Sequence, residues 1–204
     1  MIITITGPTC SGKTTLENAL VKLGVGKTIS HTTRLMRVSE VDGQDYHFVS
    51  DGEYDRLAAA GEFIEQVSFG STRYAMSAKS MREALGKHAI VAVVAEPVGT
   101  EQIVSWAIAQ GIPHYALWLG VPPLEQAKRF LSRVMNDAMF GVGNAAATGA
   151  VRLAEMLSTE QGWDSKARNG SINGYHGYSH MLFGGTTLSP DELAAQLLAT
   201  VKKG

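Results

Sequence analysis

The run Gly7-Pro8-Thr9-Cys10-Ser11-Gly12-Lys13-Thr14 constrains the fold more than any other part of the chain. It fits the pattern G-x-x-x-x-G-K-[ST], in which glycines let the backbone wrap an anion and successive N–H groups point inward. Ile2 to Thr6 before it is β-branched throughout, which predicts a buried strand. Lys13 to Leu23 after it carries Leu16, Ala19, Leu20 and Leu23 at helical spacing. Strand, glycine loop and helix in that order set the positive end of a helix against the loop, which is a phosphate site. Gly7, Thr9, Cys10, Ser11, Gly12, Lys13, Thr14 and Thr15 are therefore candidates to hold the phosphates of ATP. Lys13 is the residue expected to reach the β- and γ-phosphates, and Thr14 is the expected Mg²⁺ ligand.

The rest of the chain alternates strand and helix. Ala89–Ala95 is a short, almost wholly apolar run, the pattern of a central parallel strand covered on both faces. His114–Leu119 reads the same way, and His180–Phe183 as a short last strand. Helices are expected over Asp51–Ala60, Ser77–Leu85, Thr100–Gln110, from Pro122-Pro123 onward, over Val151–Leu157, and from Ser189 to about Lys202. Ser189-Pro190-Asp191-Glu192 has serine as N-cap, proline at the first helical position and glutamate where a capping box needs it. The fold class is α/β, a P-loop NTPase-type parallel sheet with helices on both faces. A polar block breaks the alternation and predicts an inserted subdomain over 30–85. The core is then 1–29 and 86–204, in a single domain, with a mobile lid near 125–155.

Composition narrows the function classes. The net charge is −1, so no broad basic field points to nucleic acid or to an acidic membrane. Cys10 is the single cysteine, which excludes an internal disulfide and suits a cytoplasmic protein. The N-terminus has neither a basic region nor a long apolar run, so no signal peptide or membrane span is expected there. His176 and His180 are four apart, but the intervening glycine and the lack of nearby acidic residues argue against a metal site.

Downstream of the loop stand Ser30-His31-Thr32-Thr33-Arg34, Arg37, Glu40, Asp42-Gly43, Asp45-Tyr46-His47-Phe48-Val49-Ser50, Gly61-Glu62-Phe63-Ile64-Glu65 and Tyr74. Two arginines three residues apart can hold one phosphate dianion through their planar forks. In order and spacing this series resembles guanylate kinase. The resemblance implies that Arg34, Arg37, Tyr46 and Tyr74 bind an acceptor monophosphate. It implies that Glu65 reads the N1–H and 2-amino edge of guanine, with Ser30 on the O6 side. Tyr74 is followed by Ala75 and Met76 where the family has Gly and then Ser or Thr. Met76 thus takes a base-reading place with a side chain that cannot donate a hydrogen bond. By position, Glu96 matches a strand-end acid that helps bind guanine and could also face the Mg²⁺ water shell, while Val94 stands at the other acidic place. Arg129, Arg133 and Arg152 resemble the lid arginines that close over ATP. The implied activity is transfer of the ATP γ-phosphoryl to GMP, dGMP or a related purine monophosphate, with Mg²⁺, by a monomer or homodimer. Alternatives are a kinase for a modified purine deoxynucleotide or another phosphorylated small molecule, and a non-catalytic interaction module.

Overall fold

The computed structural model describes residues 1–36, 40–69, 72–139, 149–150, 153–154, 180–183 and 188–202. A five-stranded sheet runs through the core: β1 (Ile2–Thr6), β2 (Gly26–Lys27), β7 (Val91–Val94), β8 (His114–Gly120) and β9 (His180–Phe183). Their order is β2-β7-β1-β8-β9, and every neighbouring pair is parallel.

Successive residues of a strand face opposite sides, and the two layers of the core follow from this. Ile3, Ile5 and Ala92 pack on one face with Leu16, Ala19 and Leu20 of α1 (Lys13–Lys22) and Leu197 and Val201 of α6 (Pro190–Val201). Ile2, Val91 and Val93 pack on the other face with Met81 and Ala84 of α3 (Ala78–Lys87) and Ile103 and Ala107 of α4 (Pro97–Ala109). The Ser189 hydroxyl accepts the Glu192 N–H while Glu192 accepts the Ser189 N–H, so the capping box forms as the sequence predicts.

A second, four-stranded mixed sheet has the order β4-β3-β6-β5. It comprises β3 (His31–Thr32), β4 (His47–Phe48), β5 (Phe63–Phe69) and β6 (Thr72–Ser77). Helix α2 (Asp51–Ala59) covers it, with Ser50 as its N-cap. Arg73 ties the two together: its guanidinium lies 4.3 Å from the centre of the Tyr54 ring and pairs with Asp51 and Asp55. The two sheets meet where α4 lies along β5, and there Gln102 Oε1 accepts the Gln66 N–H at 3.1 Å.

The differences from the sequence reading are local. The apolar run expected over 89–95 is a strand only over Val91–Val94, and the helix expected from Thr100 begins earlier, at Pro97. Pro97 follows Glu96, which takes extended backbone as N-cap, as the residue before a proline prefers. The helix α5 (Pro123–Met139) forms where Pro122-Pro123 predicts it. The helix expected over Val151–Leu157 and the residues His176, Arg37 and Arg152 lie wholly or partly outside the described residues. No helix among the described residues is long and apolar enough to cross a membrane.

Candidate active site

The phosphate loop leaves the C-terminal end of β1, where ligands bind in open parallel sheets. Gly12 adopts φ 101°, a left-handed conformation suited to glycine, and caps α1 without a side-chain hydrogen bond. The first N–H groups of α1 thereby face the loop, with the helix dipole behind them. Gly7 is required for a different reason: a Cβ there would stand 2.2 Å from the Leu119 carbonyl oxygen on β8. Lys13 Nζ donates to the carbonyls of Gly7 at 2.6 Å and Pro8 at 3.0 Å, which holds its ammonium across the loop. The Ser11 hydroxyl is buried and has no hydrogen-bond partner among the described residues.

Helix α5 closes one side of this loop. Gln126 Nε2 donates to the Thr9 carbonyl at 3.0 Å. Arg129 is held by Glu125 at 2.9 Å, and its Nη1 stands 3.4–3.5 Å from the Ser11 and Cys10 carbonyls. Arg129 and Arg133 also line an open depression of about 540 Å³ on α5, together with Lys128.

The small sheet assembles a second cluster. Arg34 forms a bidentate pair with Glu40 at 2.7 and 2.8 Å and lies 5.4 Å from the centre of the Tyr46 ring. The Glu40 hydrogen bonds, and then one with Tyr74, raise the guanidinium pKa further and keep it charged. The Tyr46 and Tyr74 rings meet edge to face at 5.9 Å. Burial, and then Tyr74, push the Tyr46 phenol up, so its hydroxyl remains a donor. Arg34, Tyr46 and Tyr74 thus lie together in one cluster.

Glu65 on β5 and Glu96 at the start of α4 come together at the join between the sheets. Glu65 is only 8% exposed. Burial, and then the charge of Glu96, push its carboxyl up to about 7, while the Met76 N–H pulls the other way. Gly99 makes room for it, since a Cβ there would stand 2.7 Å from Glu65 Oε1. The Met76 side chain packs into the core with Ile2 and Met81 and is 2% exposed. Met76 is the register partner of Glu65 across β5 and β6. Ser30 is partly buried, and its carbonyl accepts the His47 N–H at 2.9 Å.

Two residues near these clusters escape a reading of the sequence. Arg73 could have been found from Asp51 and Asp55, which share one helical face four residues apart. Glu17 on α1 gives no such signal; its carboxylate accepts the backbone N–H of Val94, 77 residues away.

These carboxyls make stability depend on pH in a stated direction. Glu65 has an ordinary value near 4.5 and a folded value of about 7, so the folded state binds the extra proton between those limits. Stability from Glu65 is complete below about 4.5 and is lost as pH rises through about 7. Glu17, also raised to about 7, acts in the same sense. His31 acts oppositely: burial, and then His47, lower it to about 4, so stability from it rises with pH between about 4 and 6.5. Glu65→Gln removes one contribution alone. Thermal melts of the variant and parent should therefore differ increasingly in the variant's favour from pH 5 to pH 8, by on the order of 2–3 kcal/mol. Parallel curves would contradict the buried-carboxyl reading.

A parallel sheet with a glycine loop at its C-terminal edge, facing a small mixed sheet that carries an arginine–tyrosine cluster, defines a P-loop α/β protein. The family model described as guanylate kinase matches residues 1–134 of the 204, and the chain belongs to that family. It is 34% identical to the guanylate kinase of Rhodopseudomonas palustris over 129 residues, 62% of this chain and 57% of that one. It is 28% identical to that of Novosphingobium aromaticivorans over 179 residues, 87% of this chain and 78% of the other. The chain spans 57% of the first of these relatives and 47% of another from Protochlamydia amoebophila. Among solved structures, the guanylate kinase of Anaplasma phagocytophilum superposes with a TM-score of 0.61 at 19% identity, covering all of this chain and 85% of that one. This likeness establishes the shared α/β fold.

Proposed function

We propose that the protein is a nucleoside-monophosphate kinase that transfers the γ-phosphoryl of ATP to GMP, dGMP or a closely related 2-aminopurine monophosphate. The observation that carries this reading is the pair Glu65 and Glu96. Glu65 is buried, the charge of Glu96 acts on it, and the small sheet that carries Glu65 also carries Tyr74 of the Arg34–Tyr46–Tyr74 cluster, in a chain with an intact phosphate loop. Two carboxylates suit a base edge that offers N1–H and a 2-amino group, and adenine at that edge offers a lone pair instead.

An acceptor phosphate oxygen attacks the γ-phosphorus in line, the bond to the β-phosphate bridging oxygen breaks, and ADP leaves. No side chain need act as nucleophile, so catalysis is positioning and charge neutralisation. Lys13 holds the donor phosphates, with Arg129 and Arg133 on α5 as the closing cations. Arg34, Tyr46 and Tyr74 hold the acceptor, and the sequence adds Arg37 and Arg152 to these two sets. Arg34 has five N–H donors in one plane, enough to serve both Glu40 and a phosphate. The hard oxygen donors at Thr14 and on the phosphates suit Mg²⁺, which when bound would neutralise charge on the transferring group.

With ATP and Mg²⁺, a panel of ribo- and deoxyribonucleoside monophosphates tests this reading. GMP and dGMP should be phosphorylated, 2-aminoadenine monophosphates less well, and AMP, CMP and UMP negligibly. Equal use of AMP and GMP, or phosphorylation of none, would overturn it. The 2-aminoadenine arm is included because the Met76 side chain lies in the core, so position 76 offers no side-chain donor to the 6-position of the base.

A further inference from the structure

P-loop sites commonly hold Mg²⁺ between the Ser or Thr after the lysine and an acidic residue at the end of a neighbouring strand. In this chain the strand beside β1 is β7, and it ends in Val93-Val94. Val94 pairs with Ile5, two residues before the phosphate loop begins, so position 94 is where that carboxylate would stand. Glu96 lies further on, and its charge is felt by Glu65, which assigns it to the base pocket.

A carboxylate nonetheless reaches this point from another element. Glu17 lies three residues after Thr14 and four after Lys13 on α1, so all three share a helical face. Helical side chains lean toward the helix N-terminus, here toward the phosphate loop. Val94 donates its backbone N–H to the Glu17 carboxylate, which pins the carboxylate at the end of β7. Lys27 on β2 is the cation that acts on it, and its own charge acts on Tyr46 of the acceptor cluster. A glutamate on an exposed helical face would have none of these fixed neighbours. Glu17 is instead partly buried.

We propose that Glu17 supplies, from helix α1, the carboxylate that a strand-end acidic residue supplies elsewhere, and that it faces the water shell of the Mg²⁺ held at Thr14. One or two carboxylates with phosphates and waters are what Mg²⁺ ordinarily takes. A carboxylate that accepts from metal-bound waters fixes their orientation without touching the metal. Glu17 is thus a positioning residue of the donor site. This inference rests on the proposed use of ATP with Mg²⁺ and is independent of which monophosphate is the acceptor.

The test measures Mn²⁺ binding to the full chain saturated with ADP, by electron paramagnetic resonance, and ADP binding in EDTA. Glu17→Gln keeps the shape and an acceptor for the Val94 N–H. It should weaken Mn²⁺ binding about tenfold or more, with ADP affinity in EDTA unchanged and the thermal midpoint no lower than the parent's. Adding Val94→Asp to Glu17→Gln should restore Mn²⁺ affinity, an effect that a purely structural role for Glu17 would not produce. Parent-like Mn²⁺ binding in Glu17→Gln, an equal loss of ADP binding in EDTA, or failure of the folded double variant to recover would each overturn the assignment. If the kinase reading is wrong, no monophosphate is phosphorylated by the parent, yet these metal affinities still separate. If only the Glu17 reading is wrong, the parent phosphorylates its acceptor and the affinities do not separate.

Discussion

Replacing Lys13 by alanine is expected to lower turnover by about a hundredfold to a thousandfold, the usual cost of removing one preorganised charge from a developing transition state. In the structure the Lys13 ammonium is fixed by the Gly7 and Pro8 carbonyls, so it lies across the loop rather than in solvent. An ammonium held there meets the donor phosphates without first having to be ordered. The fold should survive, because β1 and α1 are anchored by Ile3, Ile5, Leu16 and Leu20, which pack in the core and not on Lys13. The check is steady-state turnover beside a thermal melt. A folded Lys13→Ala protein with near-parent turnover would show that the loop does not hold the donor.

Glu65→Gln should collapse the preference for guanine over adenine, with the ratio of the two kcat/KM values falling about a hundredfold or more. The direction follows from the Met76 N–H, which already donates to the Glu65 side chain. A glutamine must turn its one oxygen to that N–H, and its amide NH₂ then faces the base. That NH₂ opposes the N1–H of guanine but can donate to the N1 lone pair of adenine. A competition assay with GMP and AMP reads the ratio directly. Unchanged selectivity would mean that Glu65 is a buried structural carboxyl and nothing more.

Features encoded in contiguous residues were legible before the structure. The phosphate loop, β1 and the Ser189 capping box each follow from a few neighbouring residues. The two-residue strands Gly26–Lys27 and His31–Thr32 were not legible, because they are too short to show any period and exist only through pairing with β7 and β6. Glu17 depends on Val94, far along the chain, so nothing around it in sequence marks it, whereas Arg73 is hinted at only by the Asp51 and Asp55 pair. Met76 shows the converse. The resemblance gives it a base-reading place, but packing with Ile2 and Met81 buries its side chain in the core. Arg34, Tyr46 and Tyr74 were readable as a set only through the resemblance in order and spacing of the whole segment, and the fold around the small sheet brings them together.

The central claim is phosphoryl transfer between two bound nucleotides. The most direct measurement is a phosphorus NMR time course of the protein with equal ATP and GMP in Mg²⁺. The account predicts that ADP and GDP appear together, one for one, while ATP and GMP decline. Release of inorganic phosphate with GMP unchanged, or no change in either nucleotide, would contradict it.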